Sequence, residues 1–140
     1  MRRIIFLGFF FILTGCPGND VTYPGSYVEA SLNQEFNLKI GETALIKNEY
    51  FTVRLDSIPE DSRCPEGAVC VWAGNGRTYF TLNRTGASTV SASLNTYLEP
   101  KAVSYSQYAV RLIKLSPYPR LGALIKRGDY VVTLLVSKMQ

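Results

Sequence analysis

From Phe36 to the C-terminus the chain alternates apolar and polar residues with a period of two. Phe36, Leu38 and Ile40 are separated by Asn37 and Lys39, and Phe51, Val53 and Leu55 by Thr52 and Arg54. Near the end, Tyr130, Val132, Leu134 and Val136 form a longer run of the same kind. Successive side chains of an extended strand point to opposite faces, so each run predicts a strand with one face on a core. Shorter apolar stretches predict strands at 43–47, 69–73, 77–83, 89–94 and 108–115, and 21–28 can add an edge strand. Turn formers fall between them. Gly41-Glu42 follows the first strand, Asn75-Gly76 carries the type I′ hairpin signal, and Arg84-Thr85-Gly86 closes a second hairpin. The one short helical candidate after the N-terminal segment is 26–33. This pattern predicts an all-β fold, an antiparallel β-sandwich of the Ig-like or Greek-key kind with roughly seven to nine strands. A small closed barrel is the alternative, because both architectures alternate and both use hairpins.

The first residues follow a different rule. Arg2 and Arg3 precede an apolar run from Ile4 to Leu13, which stops at Thr14-Gly15-Cys16. A charged head followed by an apolar stretch too short to span a bilayer is the layout of an export signal. The Leu13-Thr14-Gly15-Cys16 ending resembles a bacterial lipobox. That resemblance implies cleavage before Cys16 and lipid on its thiol, with the two or more acyl chains that stable anchoring requires. The expected organisation is a signal peptide at 1–15, a lipidated N-terminus and tether at 16–33, and the sandwich at 34–140. Pro17, in place of an aspartate after the cysteine, favours the outer over the inner membrane of the cell envelope.

Composition then narrows the chemistry. The formal charge of +4 includes Arg2 and Arg3, so the chain from Cys16 onward carries +2. Its cations are scattered, with no basic stripe and no interleaved aromatics, which argues against nucleic acid as a partner. There is no histidine. Ser-His-Asp and Cys-His catalytic units and His-ligated metal sites are therefore excluded, and neither G-x-S-x-G nor S-x-x-K occurs. The expectation is a monomeric, non-enzymatic domain without a cofactor. With Cys16 assigned to lipid, Cys64 and Cys70 remain, and an even pair in an exported chain predicts a disulfide.

The most distinctive run is Asp61-Ser62-Arg63-Cys64-Pro65-Glu66-Gly67-Ala68-Val69-Cys70-Val71-Trp72-Ala73-Gly74. It resembles the D-S-R-C-P-x4-C-x-W-x-G motif of a family of uncharacterised bacterial envelope lipoproteins, and Pro117-Tyr118-Pro119 before the last strand extends the likeness. The resemblance implies a cell-envelope class and no activity. Read from the residues alone, a bridge between Cys64 and Cys70 closes a compact loop worth on the order of 2 kcal/mol in loop-closure entropy. Trp72 is expected to lie buried against that bridge, as tryptophan does in immunoglobulin sandwiches. Gly74 is expected to make room for the ring or for a crossing backbone. Asp61 can cap the turn, and Arg63 can reach a carboxylate or a carbonyl.

Two roles follow for this loop. It is a staple between strands, or it presents Arg63, Glu66 and Trp72 to an envelope protein partner, with Tyr118 and Arg120 held ready by their flanking prolines. An inhibitor of a protease or lysozyme acting through the Cys64–Cys70 loop is the first rival. A calcium-dependent or carbohydrate-binding domain is the second, because Asp56, Glu60, Asp61 and Glu66 lie close in sequence, although their spacing matches no EF-hand.

Overall fold

The computed structural model describes residues 26–140. The segment expected to be a signal peptide, the expected lipidation site Cys16 and the first part of the expected tether lie outside the described residues. Among those described, nine strands form two sheets. They are β1 (Tyr27–Ala30), β2 (Glu35–Lys39), β3 (Thr43–Ile46), β4 (Phe51–Asp61), β5 (Gly76–Arg84), β6 (Val90–Asn95), β7 (Ala102–Tyr105), β8 (Tyr108–Ser116) and β9 (Val131–Lys138). One sheet has the order β1-β3-β4-β5-β6 and the other β2-β9-β8-β7. The molecule is therefore a sandwich of two open sheets and not a closed barrel.

The alternation sets this arrangement. Phe51, Val53 and Leu55 of β4 and Phe80 and Leu82 of β5 face Phe36 and Leu38 of β2, Val110 and Leu112 of β8, and Val132, Leu134 and Val136 of β9. Phe51 stacks on Tyr108 at 4.7 Å between ring centroids, which ties the two sheets together at one end. Each fully buried aliphatic or aromatic side chain contributes about 1.5–3 kcal/mol of burial, so this shared core dominates the fold.

Four details depart from the expected pattern. β1, an edge strand that overlaps the one allowed at 21–28, pairs with β3 in parallel while all other strand pairs are antiparallel. The parallel pair arises because β2 crosses to the opposite sheet before the chain returns as β3. The 26–33 helical candidate is thus a strand and a turn. Strand β4 is longer than expected because register shifts at Leu55/Ser57 and Ser57/Glu60 carry it past Pro59, which sits where the ladder needs no N–H. β7 has no expected counterpart, because only Tyr105 of its four residues is buried and no alternation marks it.

The fourth departure concerns the chain between β4 and β5. Neither the strand expected at 69–73 nor the hairpin expected at Asn75-Gly76 forms. Asn75 is fully buried and serves as a tertiary anchor, and the real connection is the long loop 62–75. That loop shares one end of the sandwich with the β6–β7 loop (96–101) and the β8–β9 loop (117–130).

Candidate functional site: the disulfide end of the sandwich

The legs of the β4–β5 connection continue the ladder beyond the strands. Ser62 N–H donates to Asn75 O at 2.8 Å, and Cys64 N–H to Ala73 O at 2.9 Å. Gly74 lies between them at φ 73°, and a Cβ there would stand 1.8 Å from Ser62 O. Of the two reasons expected for a glycine at this point, the crossing backbone is the one that applies. Above these bonds Cys64 and Cys70 are bridged, with Cα atoms 6.0 Å apart. Reduction, or Cys70→Ser, is expected to lower the unfolding free energy by about 2 kcal/mol, the loop-entropy value for so short a ring. Denaturant titration of oxidised protein, reduced protein and the variant checks this.

Arg63 occupies an unexpected place. It is only 6% exposed, and its guanidinium makes a paired contact with Asp61, with Nε and Nη2 each 2.7 Å from a carboxylate oxygen. Nη2 also donates to Pro117 O at 2.9 Å, and Nη1 to Leu115 O. The guanidinium carbon lies 5.1 Å from the Tyr118 ring centroid. The Arg63 N–H reaches Asp61 Oδ1 at 3.4 Å, the local cap expected of Asp61. The expected presentation of Arg63 to a partner is therefore corrected, with the Asp61 side chain buried beside it. Arg63 is spent on internal contacts, tying the disulfide loop to the β8–β9 loop, and it is not available to a partner.

The Tyr130 hydroxyl completes this network by donating to Asp61 Oδ2 at 3.0 Å. Burial, reinforced by the hydrogen bond and charge of Asp61, pushes the Tyr130 hydroxyl up to about 12. Burial also works to raise the Asp61 carboxyl, but hydrogen bonds and charge from Arg63, with the bond from Tyr130, outweigh it and hold the group below the ordinary aspartate range. A carboxyl depressed on folding adds stability above its unfolded pKa and loses it as pH falls through the folded value. The stability gap between wild type and Asp61→Asn should accordingly be widest at neutral pH and narrow below a pH of about 4. Urea midpoints across that range measure it.

The second link between the two loops lies at the surface. Glu66 N–H donates to Pro119 O at 2.9 Å, Leu121 N–H to Glu66 O at 3.0 Å, and Arg120 Nε to Glu66 Oε2 at 2.9 Å. Glu66 and Arg120 thus meet each other as a loop-to-loop contact, with both side chains more than half exposed. The disulfide loop and the Pro117-Tyr118-Pro119 segment are thereby docked together as one unit.

Trp72 is not buried against the bridge. It is 49% exposed and meets Tyr97 edge-on, with centroids 6.5 Å apart. The short ring closed by the disulfide and the left-handed turn at Gly74 prevent 69–73 from extending as a strand, so Trp72 is never aimed into the core. Trp72→Ala should therefore cost about 1–2 kcal/mol, below the roughly 3–5 kcal/mol of a fully buried aromatic. Thermal melts of the variant test the difference.

Sequence reasoning missed the third loop altogether. Asn75 Nδ2 donates to Asn95 Oδ1 at 2.8 Å, while Asn75 Oδ1 accepts from the N–H groups of Tyr97 and Leu98. Gly76 N–H donates to Thr96 Oγ1 at 2.8 Å. This hub hangs the β6–β7 loop on the start of β5 and sets Tyr97 beside Trp72. Its only local signal was Asn75-Gly76, which reads as a turn.

Between the three loops lies a cleft of about 240 Å³, lined by Arg63, Gly74, Tyr97, Tyr118 and the end of β8. On the same three loops Val69 and Val71 are fully exposed, and Trp72, Tyr97 and Tyr118 are about half exposed. The carboxylates proposed for calcium do not converge. Asp56 binds Arg54 and Thr81, Glu60 binds Arg77, Asp61 binds Arg63, and Glu66 binds Arg120. Among the described residues no three His, Cys, Asp or Glu side chains gather as a metal site. Comparison with known proteins finds no matching family model, curated protein or solved structure.

Proposed function

We propose that this chain is a cell-envelope lipoprotein, anchored through Cys16, whose sandwich is a non-enzymatic binding module that contacts an envelope partner with its disulfide end. The observation that carries this reading is the group of exposed Val69, Val71, Trp72, Tyr97 and Tyr118 side chains on loops fixed from beneath by Arg63 and Asn75. Tryptophan and tyrosine dominate binding hot spots, and contacts already held in place cost less ordering entropy on association. The lipobox-like Leu13-Thr14-Gly15-Cys16 supports the anchor, and Pro17 supports the outer membrane.

Photocrosslinking in living cells tests the module. A photoreactive residue at Val69 or Trp72 is expected to form a discrete adduct, and one at Tyr50, exposed at the opposite end of β4, is not. Equal labelling at both ends would refute the assignment. Metabolic labelling with an alkynyl fatty acid, lost in Cys16→Ser, tests the anchor.

One observation favours a second reading, inhibition of a protease or lysozyme. Val69 projects fully from a loop closed by a disulfide and Val71 from just beyond the bridge, a shape that can enter an enzyme cleft. Inhibition assays against envelope proteases and lysozymes, with Val69→Asp as control, distinguish it from the first.

A further inference from the structure

Strand β8 is longer than the strand on its outer edge. β7 pairs with it from Tyr105/Tyr108 to Ala102/Arg111, and the Leu112 N–H still donates to Lys101 O. The preceding chain then turns toward the other sheet, where Pro100 O accepts from Asn95 N–H. β8 itself runs on to Ser116, so from Ile113 to Leu115 its outer edge has no strand neighbour among the described residues. This stretch forms one wall of the cleft, with Tyr97 and Tyr118 on the others. The Leu115 carbonyl accepts from Arg63, which also lines the cleft. A register shift between Leu112 and Lys114 leaves both Ile113 and Lys114 at the surface.

The charge around this edge is unbalanced. Lys114 lines the cleft, Lys101 Nζ lies 6.0 Å from the Tyr97 ring centroid, and Arg111 stands one step along β8 opposite Ala102. None of these three cations is in an ion pair among the described residues. Arg63 is already neutralised by Asp61. The nearby Glu99 carboxylate accepts from the Lys101 N–H, and among the described residues no carboxylate or side-chain amide lines the cleft. A neutral sugar would find few acceptors here, whereas an acidic chain would find three free cations.

We propose that the cleft takes an extended, acidic peptide segment of a partner protein, added to β8 as a strand in line with β7. Main-chain hydrogen bonds to the edge groups that Lys101 and Arg63 leave unused would hold the segment, Tyr97 and Tyr118 would flank its side chains, and its carboxylates would meet Lys114, Lys101 and Arg111. The same lysines deter pairing with a second, like-charged copy of this edge. This proposal rests on the binding-module reading and names the ligand of that surface.

The test uses isotopically labelled full-length protein in detergent micelles, followed by NMR. The probes are the peptide Thr-Glu-Val-Glu-Val-Glu, its counterpart with lysine for each glutamate, and polygalacturonate. The acidic peptide is expected to shift the amides of Ile113, Lys114, Leu115 and Tyr97, and the lysine peptide is not. Lys114→Glu should weaken the acidic peptide by about fivefold. Equal shifts with both peptides, shifts confined to residues 69–72, or no shift with any probe would overturn the proposal. Binding of polygalacturonate alone would replace it with an acidic carbohydrate. If the peptide fails while crosslinks at Val69 and Trp72 persist, only the cleft assignment falls; if both fail, the module reading falls with it.

Discussion

Arg63→Ala is expected to lower the unfolding free energy by about 3–5 kcal/mol, because it removes one partner of a buried ion pair and leaves the other uncompensated. Asp61 would keep only the Tyr130 hydroxyl and the long contact from the backbone N–H of residue 63, and would stay largely buried with its charge. The carbonyls of Leu115 and Pro117 would each lose a donor, and the Tyr118 ring its cation. Lysine would not rescue the site, since a single ammonium cannot match the forked contact with Asp61 while reaching two carbonyls. Arg63→Lys should recover less than half of the loss. Equilibrium unfolding in urea of wild type, Arg63→Ala and Arg63→Lys measures both effects. A near-neutral Arg63→Ala would mean that the guanidinium does not hold the two loops together.

Gly74→Ala is the second large effect, expected at roughly 2–5 kcal/mol. Part is the penalty of about 1–2 kcal/mol for an L-residue in the left-handed region. The rest is overpacking, typically about 1–3 kcal/mol, because the new methyl group would fall on the Ser62 carbonyl, a backbone atom held by the ladder. Gly41 provides the control. It also has a positive φ, of 90°, but a Cβ there meets nothing within 4 Å. Gly41→Ala should therefore show the conformational penalty alone. Melting the two variants side by side separates left-handed strain from the close crossing of the two legs.

These effects mark the boundary between what local sequence encodes and what only the assembled fold decides. The period-two runs at Phe51 and Val132 encode their strands directly, because a strand buried on one face must alternate. The Cys64–Cys70 bridge followed from the pairing of cysteines, and the turn at Arg84-Thr85-Gly86 from glycine at φ 81°. Arg63 could not be placed in that way. Arginine is ordinarily exposed, and the groups that make its burial tolerable lie at Leu115, Pro117 and Tyr130, between 52 and 69 positions away from the residues they bond. Asn75 misled for the same reason: its local signal is a turn, and its partners at Asn95, Tyr97 and Leu98 appear only when β6 lies beside β5. The edge of β8 was equally hidden, since it exists only because β7 stops short of it.

The binding reading depends on one structural claim, that the exposed residues of the disulfide end stand on a rigid base. Amide hydrogen exchange of the wild-type protein tests it most directly at Cys64, Glu66 and Leu121, whose N–H groups lie outside the strands but are bonded to Ala73, Pro119 and Glu66. The account predicts protection at these three amides close to that of the β4–β5 ladder, and its loss in Arg63→Ala. Exchange of all three at free-loop rates in the wild type would contradict it.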